Sequence, residues 1–124
     1  MEPTSKKILI IEDEKQLARV LEIKLSREGF EITNVTSGEA ALPLIETGQF
    51  SLIICDLMMP KVDGFQVLEF IKSKNIIVPV IVLTNLSQPE DEKRARELGA
   101  LDFLIKSDTP LSKIIEIIKE KLSH

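Results

Sequence analysis

Five short apolar runs, each followed by a stretch with helical periodicity, set the frame of this 124-residue chain. The first run, Lys7-Ile8-Leu9-Ile10-Ile11, is β-branched with no polar alternation, which suits a strand covered on both faces. A first helix follows from about Glu14 to Glu28, with Leu17, Val20, Leu21 and Leu25 as its apolar stripe and Gly29 as its stop. Glu31 to Val35 alternates like a less buried edge strand. Thr36-x-x-Glu39 reads as a capping box for a second helix that packs through Ala40, Ala41, Leu44 and Ile45. Pro43 inside it removes a backbone hydrogen bond and predicts a kink or a shortened element.

Leu52 to Cys55 is the third strand, and Gly64 to Ser73 the third helix, with Val67, Leu68 and Ile71 inward. Val78 to Leu83 is the fourth strand, ended by Thr84. The fourth helix, about Pro89 to Leu98, is the most polar segment, with Ala95 and Leu98 inward. Asp102 to Ile105 closes the set of strands at Lys106. Thr109 is the expected N-cap, and Pro110 the first-turn proline, of a fifth helix that buries Leu111, Ile114, Ile115, Ile118 and Leu122. Ile117 lies roughly 100° off that stripe and reads as an exposed contact for a partner or a second copy. Five such units predict an α/β fold, a doubly wound parallel sheet with helices on both faces. The expected organisation is one domain over 1–124 with a core from about 6 to 122.

Composition removes several chemistries. The sole histidine is the terminal His124 and the sole cysteine is Cys55, so neither a zinc site nor a histidine-activated nucleophile has its residues. Cys55 reads as a small apolar residue, and one cysteine permits no internal disulfide, which fits the cytoplasm. A net charge of −4 argues against a broad nucleic-acid surface, so no direct nucleic-acid binding is expected. No run approaches the ~18 apolar residues of a membrane span, and Met1 to Lys7 enters a strand rather than a signal-peptide core. What remains is chemistry run on carboxylates, hydroxyls and lysine.

Those groups fall at the ends of strands. Glu12 and Asp13 follow the first strand, Asp56 the third, Thr84 the fourth and Lys106 the fifth. Parallel sheets of this kind place ligands outside the carboxyl ends of their strands. Three carboxylates brought to one edge repel one another unless a cation or a proton intervenes, so a divalent ion is expected there. Taken singly, Asp13 could cap a helix, Asp56 could belong to a turn, Thr84 could be a strand former and Lys106 a solvated charge.

Together, Glu12-Asp13, Asp56-Leu57-Met58-Met59-Pro60 with Asp63-Gly64, Thr84 and Lys106 resemble a response-regulator receiver domain of two-component signalling, the CheY-like family. The resemblance covers nearly the whole chain, in order. It implies a flavodoxin-like strand order 2-1-3-4-5 and a phosphorylation-controlled switch. Asp56 would be the nucleophilic phosphoacceptor, with a histidine kinase or histidine phosphotransfer protein as donor. Mg²⁺ (or Mn²⁺) would be held directly by Asp13, Asp56 and the Met58 backbone carbonyl, with Glu12 at longer range. Lys106 and Thr84 would take the phosphoryl oxygens and complete the catalytic set. Phe103, an aromatic on the fifth strand, would turn inward as part of the switch. The output face would be the fourth helix, fifth strand and fifth helix, docking a downstream protein or a phosphorylation-dependent homodimer.

The chain also departs from the family pattern. Ser107 follows Lys106 where many receivers have a cis proline, so a trans bond is expected. Asn85 stands where a smaller residue is frequent, and Leu86 and Met58, with Met59 and Pro60 nearby, are bulky neighbours of the site. These are expected to restrict the attacking water and prolong the phosphorylated state. The fifth helix lacks the charge pattern of transcription-factor receivers, which leaves the dimer open. Two other classes compete: a phosphorylation-independent interaction domain on the same fold, and a metal-dependent phosphatase, whose Asp-x-Asp signature fails at Met58. Nucleotide or flavin binding lacks its glycine-rich loop.

Overall fold

The pleat of five parallel strands sorts the chain into two cores. A computed structural model describes residues 6–123, and the amino-terminal segment 1–5 and His124 lie outside the described residues. In chain order the elements are β1 (Lys7–Ile11), α1 (Lys15–Arg27), β2 (Glu31–Val35), α2 (Gly38–Glu46), β3 (Leu52–Cys55), α3 (Gly64–Ser73), β4 (Val80–Thr84), α4 (Pro89–Glu97), β5 (Asp102–Ile105) and α5 (Leu111–Leu122). The strands pair in the order β2-β1-β3-β4-β5, the expected doubly wound arrangement. Successive strand residues point to opposite faces. Leu9, Ile11, Ile53, Cys55, Val80, Val82 and Phe103 therefore join residues of α2 and α3 in one core. Ile8, Ile10, Leu52, Ile54, Ile81, Leu83 and Leu104 join α1 and α5 in the other. Burial on both sides is why β1, β3 and β4 read as unbroken apolar runs.

Several helix details depart from the sequence reading. The α1 stripe is carried by Ala18, Leu21 and Leu25, while Val20 is 37% exposed. Ser37, not Thr36, caps α2 by accepting from the Ala40 amide at 3.1 Å, which turns Ala40 outward and Ala41 and Ile45 inward. Pro43 is accommodated inside this helix of nine residues, on its exposed side. Thr109 does not cap α5. Lys106–Asp108 forms a 3-10 turn instead, the Thr109 hydroxyl donates to the Ile105 carbonyl at 2.8 Å, and Pro110 takes the N-cap position. Ile117 is half-buried rather than exposed, and it packs against the α1/α5 core.

α4 is held differently from the other helices. Ala95 is its one buried residue, and polar contacts do the rest. The Arg94 guanidinium lies 4.1 Å from the Phe65 ring centroid and 3.6 Å from Glu69 of α3. Arg96 pairs with Glu92 at 2.9 Å and reaches Asp102 of β5 at 3.6 Å. Exposed contacts of this kind stabilise little individually, so α4 is fastened mainly through Ala95.

Candidate functional site

Strand register brings the polar residues together. Ile11 pairs with Cys55, and the Asp56 amide donates to the Ile11 carbonyl at 3.0 Å, so Glu12 and Asp56 emerge side by side. On the other flank Thr84 pairs with Ile105, which sets Thr84 beside Lys106. Glu12, Asp56 and Thr84 are the buried polar or charged residues of the described chain, at 2%, 3% and 0% exposure. A fold that buries these three groups at one sheet edge has built a site.

Lys106 closes that site. Its ammonium reaches Glu12 Oε1 at 2.9 Å, Asp56 Oδ2 at 3.0 Å and Glu14 Oε1 at 3.1 Å. Burial acts to lower its pKa, but the hydrogen bonds to Glu12 and Asp56 outweigh this and hold it above the ordinary lysine range. Asp56 Oδ1 accepts from the Met58 amide at 3.1 Å, which fixes the carboxylate's orientation. The Thr84 hydroxyl oxygen accepts from the Leu86 amide at 3.3 Å. Cys55, fully buried, donates its thiol to the Asp56 carbonyl at 3.2 Å, and burial pushes its pKa up. It is a protonated packing residue, as its setting in β3 suggested.

The loop after Asp56 is fixed by its own capping. Asp63 accepts from the Gln66 amide and Gln66 accepts from the Asp63 amide, both at 2.9 Å, a reciprocal cap that opens α3. A Cβ on Gly64 would stand 2.3 Å from the Asp56 carbonyl oxygen, so only glycine lets α3 start this close to the acid. The Asp63-Gly64 pair thus positions the loop. The Lys106–Ser107 bond is trans, as expected. Met58 and Asn85 are exposed at the rim, as is Pro60, while Met59 is buried and Leu86 half-buried against the first core. Phe103, 8% exposed, points into that core from β5.

Oxygen atoms of Glu12, Asp13 and Asp56 all lie within 4.8 Å of one another. Three carboxylate oxygens at that spacing suit a hard cation such as Mg²⁺ or Ca²⁺ and offer nothing to a soft one. Glu12 and Asp13 are not equivalent. Both Glu12 oxygens are engaged, with Lys106 and with the Glu14 amide at 3.0 Å, whereas Asp13 is exposed and, among the described residues, unpaired. Glu14 is the residue that the sequence reading missed: nothing in local spacing shows that a helix-entry acid reaches a lysine 92 positions away.

Burial pushes the Glu12 carboxyl up to about 7; Asp56 adds to the shift, while the Glu14 amide and Lys106 oppose it. A carboxyl whose pKa is raised on folding holds its proton more tightly when folded. Its contribution to stability is therefore lost as pH rises from the unfolded value through about 7. At about 1.4 kcal/mol per unit, the loss is on the order of 3 kcal/mol. Glu12→Gln should gain stability relative to the natural protein between pH 5 and pH 8 by roughly that amount. Urea unfolding at the two pH values checks it, and parallel curves would contradict it.

A groove of about 570 Å³ lies at the opposite end of the sheet, between α3, β4 and α4. It is mostly apolar (Leu68, Ile71, Ile76, Ile77, Val80 and Leu98 among its walls) and holds none of the acid–lysine set.

The sequence matches the family model of the response regulator receiver domain over residues 8–119. The chain belongs to the response regulator receiver domain family. It is 38% identical over 110 residues to the probable transcriptional regulator ycf27 of Cyanophora paradoxa, covering 89% of this chain and 46% of that protein. It is 34% identical over 106 residues to the alkaline phosphatase synthesis transcriptional regulatory protein PhoP of Bacillus subtilis, covering 86% of this chain and 44% of that one. The chain thus spans less than half the length of the curated relatives it matches. Among solved structures, the receiver domain of the Francisella response regulator 1452 superposes with a TM-score of 0.86 at 30% identity, over 94% of this chain and 96% of that one. This is a signalling domain of two-component systems. No helix among the described residues is long and apolar enough to cross a membrane.

Proposed function

We propose that this receiver takes a phosphoryl group on Asp56 from a histidine kinase or histidine phosphotransfer protein and relays the change through α4, β5 and α5. The observation that carries the reading is buried Asp56 bonded to Lys106 at 3.0 Å with oxygens of buried Glu12 and of Asp13 converging on it within 4.8 Å. An Asp56 oxygen attacks phosphorus, and the bond from phosphorus to the donor's imidazole nitrogen breaks as the acyl phosphate forms. A bound Mg²⁺ would supply charge neutralisation between the two anions. Asp13, Asp56 and the Met58 carbonyl are the residues assigned to hold it, with Glu12 acting from further away because its oxygens are already engaged. Lys106, now bonded to Asp56, is placed to donate to a phosphoryl oxygen, and the buried Thr84 hydroxyl can exchange its Leu86 partner for another.

The protein does not act as a dedicated enzyme in this reading, although it assists its own phosphorylation and dephosphorylation. Asn85, Met58 and Leu86 stand where the attacking water must pass. The relay runs from Thr84 to Phe103 on the neighbouring strand and to α4, whose polar tethers let it shift. The output is a protein contact, with a homodimer on the same face as one form of it, in the cytoplasm. Beryllium fluoride with Mg²⁺, a mimic of the acyl phosphate, should move the amide resonances of Thr84, Phe103 and α4. Unchanged spectra would favour a phosphorylation-independent interaction domain instead.

A further inference from the structure

We infer that Glu14 is a positioning residue for Lys106, holding the ammonium while Asp56 is unmodified and restraining phosphoryl transfer until it lets go. The inference rests on the phosphoacceptor reading above. An ammonium has three protons to donate. In this structure each goes to a different carboxylate: Glu12, Asp56 and Glu14. A phosphoryl oxygen arriving at Asp56 finds no proton of Lys106 free, so one bond must open.

The three bonds are not equally easy to open. Glu12 is 2% exposed, and releasing it strands a buried carboxylate. Asp56 is itself the acceptor. Glu14 is 59% exposed in its side chain, and water replaces Lys106 around it at small loss. Glu14 also stands outside the trio of convergent acid oxygens, so a cation there gives it no new partner. Its backbone is fixed by two bonds: the amide to Glu12 Oε2 at 3.0 Å, and the carbonyl accepting from the Ala18 amide at 3.0 Å. Its side chain makes no cap on α1. The carboxylate is therefore free to swing while the rest of the residue stays put. An ordinary helix-entry acid pointing to solvent would not bond, at 3.1 Å, a lysine that is only 11% exposed.

Glu14→Gln keeps the shape and removes the charge. Glu14→Ser places a good N-cap at the start of α1, so at least one of the two variants should fold. With acetyl phosphate and Mg²⁺, both should raise the maximum rate of acyl phosphate formation about threefold to fivefold, the range of a half-exposed ion pair. The donor concentration for half-maximal rate should stay the same. The ¹⁵N signal of the Lys106 ammonium, assigned through its loss in Lys106→Arg, should shift and exchange protons with water faster in the unmodified variants. It should match the natural protein once beryllium fluoride and Mg²⁺ are bound. An unmoved ammonium signal, or rates equal to the natural protein's, overturns the inference alone. If the natural protein forms no acyl phosphate at all, the phosphoacceptor reading falls and this inference with it.

Discussion

Lys106→Met is expected to lower the free energy of unfolding by about 3–5 kcal/mol at pH 8, the effect of stranding buried charge. Glu12 and Asp56 are 2% and 3% exposed and share this one counter-charge. Methionine matches the stem of lysine but donates nothing, so two carboxylates would face each other in a dry pocket. Their escape is protonation, and Glu12, already pushed up to about 7, is the group that takes the proton. The loss should therefore shrink by roughly half at pH 5. Added Mg²⁺ should recover part of it at pH 8 by replacing the missing positive charge. Urea unfolding of both proteins at the two pH values, with and without Mg²⁺, measures all three. A pH-independent loss under about 1 kcal/mol would mean that the contacts behave as surface pairs.

The contrast between what could be read from the chain and what could not follows burial. β1, β3 and β4 are covered on both faces, and that demand wrote itself into near-continuous runs of isoleucine, leucine and valine. The strand ends then located Glu12, Asp56, Thr84 and Lys106 at one edge. Caps were harder, because two adjacent residues can each do the work. Thr36 and Ser37 both carry a hydroxyl, and one residue of shift moves Ala40 from inside to outside. The Asp63–Gln66 cap follows the same spacing rule as the Thr36–Glu39 pattern and is legible in the chain. Val20 and Ala18 show the ambiguity of a helical stripe, in which the smaller apolar residue took the buried place. Ile117 went the other way, drawn half inward by the α1/α5 core. Glu14 had no local signal at all. Its role exists only once β5 lies in the same parallel sheet as β1, so that Lys106 and Glu14 leave one edge within reach of each other, a contact made by topology rather than by pattern.

Asp56→Asn should abolish acyl phosphate formation while leaving the fold in place. The asparagine oxygen can still accept from the Met58 amide, as Asp56 Oδ1 does at 3.1 Å, and its volume matches a site that is almost closed to solvent. The amide nitrogen that replaces Oδ2 has its lone pair delocalised into the carbonyl and does not attack phosphorus, and it turns a donor toward Lys106 where an acceptor stood. Neither neighbour is a ready substitute nucleophile. Glu12 has both oxygens engaged and holds its proton more tightly than a free carboxyl. Asp13 is exposed, so water competes for it and Lys106 does not reach it. Incubation with a phosphohistidine donor and Mg²⁺, followed by intact-mass measurement, should therefore show the phosphoryl increment on the natural protein and none on the variant. The circular dichroism of the two should coincide. A metal-dependent phosphatase would give a different pattern, steady turnover of a small phosphoester with no accumulated mass increment. Label that persists in Asp56→Asn would move the acceptor to Asp13 and overturn the assignment of Asp56. Its loss, with the fold intact, would tie the chemistry to the one carboxylate that β3 carries into the reach of Lys106.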